Sequence, residues 1–176
     1  MRCALEVMLE RGYHATTFTE IARRAGVGTP AIYRRWPTKA ALAIEIVVRE
    51  SGEEPIPESG ALRDDLIEFT LLRLRTFTTP LFRQVVFPVI LEAQANKALA
   101  DAIATRFTEY RTPLVRRLRR SIDACELRAD VDPNRVLDFL MGPLSMCLLF
   151  GQELPREADA ESIVDQVLTG LAPQRP

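Results

Sequence analysis

A chain of 176 residues, 47% hydrophobic and 27% charged, can bury a sizeable core and does not have the composition of a disordered segment. One histidine, His14, and three scattered cysteines, Cys3, Cys125 and Cys147, exclude a multi-histidine metal site, a zinc-finger spacing and a disulfide framework, so no metal and no cofactor are expected. The net charge of −1 hides an asymmetry: residues 1–48 hold seven Lys/Arg against four Asp/Glu and the rest sixteen against twenty, which would place a nucleic acid at the N-terminal end only.

Apolar residues recur at helical spacing along the chain, with no sustained period-2 alternation and no Asn-Gly or Asp-Gly turn, so the fold class is all-α. Ala4, Leu5, Met8 and Leu9 stripe a first helix that ends near Gly12. Thr17 with Glu20 three residues on forms a capping box, so a second helix starts at Phe18 and stops at Ala25 before Gly26. Thr29-Pro30 caps and starts a short third helix. Residues 39–50 form a fourth behind Thr38. The run from Ser51 to Gly60, with two Pro and two Gly, reads as a linker. The division is therefore 1–48, a connecting segment 49–60, and a larger helical domain over 61–176.

In that larger domain Leu62, Leu66, Phe69 and Leu72 mark one face of a long helix and Ile67, Leu71 and Leu74 another, which suits a central position. Helical pattern returns over 81–95, 98–126, 133–150 and 159–171, and Pro88 and Pro113 predict a kink or a break. Asp132-Pro133 and Asp159 are N-caps. Arg116, Arg117, Arg119 and Arg120, interleaved with Leu114, Val115 and Leu118, read as the wet side of an amphipathic helix. Asp64-Asp65 suits a helix N-terminus, and Cys147 a buried apolar site. The 12 uncharged residues Phe139–Phe150 fall short of the about 20 that a membrane span needs. With no leader pattern visible, a soluble, cytoplasmic protein with no membrane partner is expected. A single histidine provides no nucleophile–base pair, so an enzyme is not expected.

Residues 17–36 carry the chemistry. Ala22 is small where two helices would cross, Gly26 makes the turn, and Ile21, Val27 and Ile32 supply contacts: the spacing of a DNA-binding helix-turn-helix, with a plain helical hairpin as the alternative. Gly12-Tyr13, Thr16-Thr17, Ile21-Ala22, Ala25-Gly26-Val27, Ile32-Tyr33, Trp36 and Lys39-x-x-Leu42 resemble the N-terminal domain of TetR-type transcriptional regulators. Chains of that family usually carry a few more, often basic, residues first, whereas this one opens on the first core position of the helix, which points to a truncated start.

The resemblance implies a homodimeric repressor, bound to palindromic double-stranded operator DNA and released by a small-molecule effector. It places Thr29, Pro30 and Ala31 at the major groove, Tyr33, Lys39 and Arg35 at the phosphates, and Thr17 and Thr19 at the DNA edge. Arg34 is either a phosphate contact or a solvated charge, while Trp36 reads as core and His14 as a surface or packing residue. Leu137, Leu140, Leu144 and Leu148, with Val164, Val167, Leu168 and Leu171, would form a four-helix dimer interface. Phe69, Leu72, Arg73, Phe107, Tyr110 and Met141 would line an effector pocket for a mostly apolar ligand. The other reading is a helical scaffold that keeps this fold without binding DNA.

Overall fold

The computed structural model describes residues 1–51 and 59–171, without the side chains of Ser51 and Tyr110; most of the linker expected over 51–60, including Glu53-Glu54, lies outside the described residues. Among the described residues every regular element is helical: α1 (Arg2–Ala15), α2 (Phe18–Ala25), α3 (Thr29–Arg35), α4 (Lys39–Ser51), α5 (Leu62–Thr78), α6 (Phe87–Ala93), α7 (Lys97–Asp123), α8 (Pro133–Leu149) and α9 (Ala160–Leu171). A π-helical turn, Phe82–Val86, leads into α6, and a 3₁₀ turn, Glu157–Asp159, leads into α9.

Local chemistry accounts for these boundaries, with five departures from the sequence pattern. α1 runs past Gly12, which takes φ 77° and kinks it; the Thr16 hydroxyl then donates to the Gly12 carbonyl at 2.8 Å. The residue capping α3 is Gly28, one before the expected Thr29. The interruption expected at Pro88 appears one turn earlier as the π turn, whose extra residue per turn relieves the clash between a proline ring and the carbonyl four residues before it. Pro113 lies inside α7 without ending it, because Leu114 and Leu118 beyond it are fully buried and hold the helix in place. Asp132 caps α8 as expected, accepting from the Asn134 N–H at 2.9 Å, whereas the carboxylate of Asp159, the last residue of the 3₁₀ turn, accepts the Arg156 N–H at 2.8 Å.

The chain divides into two compact units: Met1–Glu54 with Phe77–Arg106, and Pro55–Thr76 with Phe107–Pro176. The core of the first joins Val7 and Met8 of α1, Ile21 and Ala22 of α2, Ile32 of α3, and Leu42 and Ile46 of α4 to Val85, Val89, Ala93 and Leu99. The core of the second gathers Leu66 and Phe69 of α5, Leu114 and Leu118 of α7, Leu137 and Leu140 of α8 and Val164 of α9.

A buried polar network closes one side of the second core. Asp65, fully buried, accepts from Arg117 Nε at 2.8 Å and from the Ser59 N–H and hydroxyl at 2.6 and 2.8 Å. Arg117 continues to the Ser121 hydroxyl at 2.6 Å, and Ser121 to Glu126 at 2.7 Å. Burial pushes the Asp65 carboxyl up, but the Ser59 and Arg117 donors outweigh it and hold the group below the usual carboxylate range. One expectation is thereby corrected: Arg117 is not on the wet side of α7 with its neighbours. Asp64 and Asp65 lie in the first turn of α5 as expected, and Asp65 in addition anchors an ion pair.

Gly26 ends α2 at φ 66°, ψ 30°, and its N–H bonds back to Ala22 and Arg23. A Cβ there would touch nothing within 4 Å, so the cost of a side chain is that of the left-handed backbone alone. Gly26→Ala should lower unfolding free energy by about 1 kcal/mol, with Gly26→Asn costing less. Urea titration of the two variants measures the difference, and equal midpoints would remove the backbone argument.

Candidate nucleic-acid interface

Helix α2, the Gly26 turn and α3 form a helix-turn-helix whose inner contacts are Ile21, Ala22 and Ile32, all buried. Val27, expected to join them, is 48% exposed, because the chain leaves the left-handed turn with this side chain outward. The Thr17 hydroxyl accepts the Glu20 N–H at 3.2 Å, the first half of the capping box. Glu20 turns instead to Arg23, at 3.0 and 2.9 Å, and to Arg24, at 2.9 Å. Hydrogen bonds from Arg23 and Arg24 hold its carboxyl down to about 2. Arg24 also reaches Glu10 at 2.6 Å, bracing α2 against α1.

Of the residues expected at DNA, Thr17, Thr19, Pro30, Ala31, Tyr33, Arg34 and Arg35 are exposed, and Thr29 and Lys39 half-buried. Tyr33 is held by its ring, edge-on to Phe18 at 4.7 Å. Arg35 stacks on Trp36 and bonds Glu45 at 3.3 Å; Trp36 packs against the core and donates its indole N–H to Glu45. Arg34 is an exposed cation on α3. His14 is exposed, with its ring edge-on to Tyr13.

Lys39 is the most constrained cation of the set. Its ammonium donates to the His14 carbonyl at 2.9 Å and the Thr16 carbonyl at 3.1 Å, and lies 4.6 Å from the Tyr13 ring centroid. Those backbone acceptors carry no side-chain signature, so the sequence pattern could not reveal them. An ammonium has three N–H donors, and the two carbonyls use two of them.

In the second unit the residues expected to face an effector separate. Phe69 and Arg73 are buried, the guanidinium 5.6 Å from the Phe69 ring, and Leu72 and Met141 are half-buried. Phe107 does not join them: it is 51% exposed beneath the Arg111 guanidinium. The Tyr110 side chain lies outside the described residues.

Most residues of the expected interface are buried in the single chain. Leu137, Leu140, Leu144, Val164 and Leu171 are buried within their own unit, and Leu148, Val167 and Leu168 are half-buried, so the stripe proposed for a partner mostly faces the unit's own core. On α8 the exposed apolar stripe is Phe139, Pro143 and Met146, continued by Phe150, and it lies on the opposite side of the helix. A groove of about 360 Å³ runs beside it, lined by Phe139, Pro143, Ile163, Gln166, Val167, Gly170 and Leu171. Cys147, expected buried, is half-buried.

Family models cover nearly all of this arrangement. Residues 1–46 match "Bacterial regulatory proteins, tetR family", and residues 56–167 match "Tetracyclin repressor-like, C-terminal domain". The DNA-binding transcriptional repressor TetR of Mycobacteroides abscessus is 28% identical over 173 residues, spanning 96% of this chain and 89% of that one. The crystal structure of the TetR family transcription regulator SCO0332 superposes with a TM-score of 0.75 at 29% identity, covering 97% of this chain and 94% of the other. That of the Flavonoid-responsive Regulator FrrA gives 0.71 at 25% identity, covering 99% and 95%. The chain belongs to the TetR family of bacterial regulatory proteins and is a DNA-binding transcriptional regulator.

Proposed function

We propose that the protein is a repressor that binds a palindromic operator as a homodimer through α2 and α3 and leaves it when a small, mostly apolar molecule enters the second unit. The observation that carries the DNA-binding part is the surface of α2 and α3, where polar and cationic side chains surround an exposed helix N-terminus while Lys39 is fixed beside it. Thr29 and Ala31 would meet base edges, and Tyr33, Arg34, Arg35 and Lys39 phosphates. The surface ion pair of Arg35 with Glu45 is cheap to exchange for a phosphate. The two recognition helices of a dimer would read half-sites about 34–36 Å apart.

The exposed α8 stripe beside the α8–α9 groove supports the dimer, because a monomer would leave it in water. Phe69, Leu72, Arg73 and Met141 support an apolar effector with one anionic or carbonyl group, and the flavonoid response of FrrA is in keeping with an aromatic one.

Two variants test the site. Thr29→Ala should reduce discrimination between the operator and a mutated operator, by up to about tenfold. Lys39→Ala should weaken operator and random duplex alike and lower the salt slope by about one unit. Gel-shift titrations on operator fragments selected from the source genome measure both. Unchanged binding in both variants would displace the interface from this surface.

A further inference from the structure

Tyr13 stands between the Lys39 ammonium and α6. It is 1% exposed, its hydroxyl donates to Glu92 Oε2 at 2.8 Å, and its ring lies 4.6 Å from the Lys39 ammonium. Glu92 sits near the end of α6, whose Val89 and Ala93 are locked into the same core as α1 and α4. Seventy-nine residues of sequence separate Tyr13 from Glu92, so the bond reports tertiary placement and no local turn.

We propose that Glu92 is a positioning residue for DNA binding: through the Tyr13 hydroxyl it holds the ring on which the Lys39 ammonium rests, so that the placement of α6 decides whether Lys39 can meet a phosphate. This rests on the reading of Lys39 as a phosphate contact. The polarity of the chain is fixed. Burial and the Glu92 carboxylate both push the Tyr13 phenol far above its usual range, so it stays a neutral donor. Burial lowers the affinity of Lys39 for its proton, and the charge of Glu92 works against that loss. Two of the three ammonium donors are spent on the His14 and Thr16 carbonyls, and a lysine so held gives up little freedom when the third meets a phosphate. Without Glu92 the Tyr13 hydroxyl has no carboxylate partner in a buried site, and the ring beneath Lys39 is free to shift.

The test uses the full chain and a random duplex of about 30 base pairs, titrated by fluorescence anisotropy between about 50 and 200 mM salt. Glu92→Ala and Tyr13→Phe should each weaken binding by about fivefold, and each should move the salt slope toward the one-unit loss of Lys39→Ala. The double variant should bind no worse than either single one, because both remove the same link. Glu92→Gln keeps an oxygen acceptor for the hydroxyl and should recover most of the affinity. If Glu92→Ala and Tyr13→Phe lower only the melting temperature and retain the wild-type slope, the role is structural and the proposal is overturned. If those two leave the slope intact while Lys39→Ala lowers it, the link to α6 fails and the phosphate contact stands. If Lys39→Ala itself leaves the slope unchanged, the phosphate contact fails and the proposal with it.

Discussion

Asp65→Ala should cost the second unit about 3–5 kcal/mol of stability, the loss typical of removing one member of a buried, hydrogen-bonded ion pair. Asp65 is fully buried, and the Arg117 side chain is 9% exposed. Without the carboxylate, the guanidinium keeps, among the described residues, only the Ser121 hydroxyl and a 3.4 Å contact to the Gly60 carbonyl. Asp65→Asn should cost less, because an amide oxygen still accepts from Ser59. Replacing both charges at once, Asp65→Leu with Arg117→Met, should recover much of the loss, since the desolvation of two ions is then removed. Urea unfolding of the three variants reads the order directly, and an alanine variant as stable as the parent would sink the argument. The pH dependence has a definite sign. Because the folded carboxyl titrates below its unfolded value near about 4, the stabilisation is complete at neutral pH and is lost as acid protonates the group below that value.

The second large effect is expected on α8. Phe139→Glu with Met146→Glu should yield a monomer that binds operator about 100-fold more weakly, because one half-site then binds without the effective concentration supplied by its twin. Both positions are more than half exposed, so the helical signal and the melting of each chain should change little. Sedimentation separates the outcomes: a double variant that remains a dimer places the interface elsewhere. The matching substitution at Leu140 or Leu144, both fully buried, should unfold the unit instead.

The contrast between those two stripes shows where reading the sequence succeeds and where it stops. The caps Thr17, Thr38 and Asp132 and the left-handed Gly26 are local events, governed by residues within four positions, and the helices they delimit were legible. The helix-turn-helix was legible for the same reason. Periodicity showed that α8 has an apolar stripe through Leu137, Leu140 and Leu144, but not that this stripe is filled by its own unit; deciding that requires knowing what α5, α7 and α9 bring to it. Arg117 illustrates the same limit. Its neighbours Arg116, Arg119 and Arg120 are exposed, and only Asp65, 52 residues earlier, makes the burial of a guanidinium tolerable. Phe107 has the composition of a pocket residue and the exposure of a surface one. Lys39 could be singled out as a candidate from the family pattern, whereas its carbonyl partners could not, since every residue has a carbonyl.

The interleaving of the first unit has a consequence for synthesis. A ribosome that has released α1 to α4 has delivered Val7, Met8, Leu42 and Ile46, but not Val85, Val89, Ala93 and Leu99, which complete the same core. The reading head therefore cannot reach its final packing until the chain has emerged to about Arg106. A gene fragment that stops after α4 encodes the helix-turn-helix together with an uncovered apolar floor. Maturation of the head is thus tied to translation through α6 and into α7, and a product terminated after α4 should be a substrate for proteolysis or aggregation rather than a small competitor for the operator.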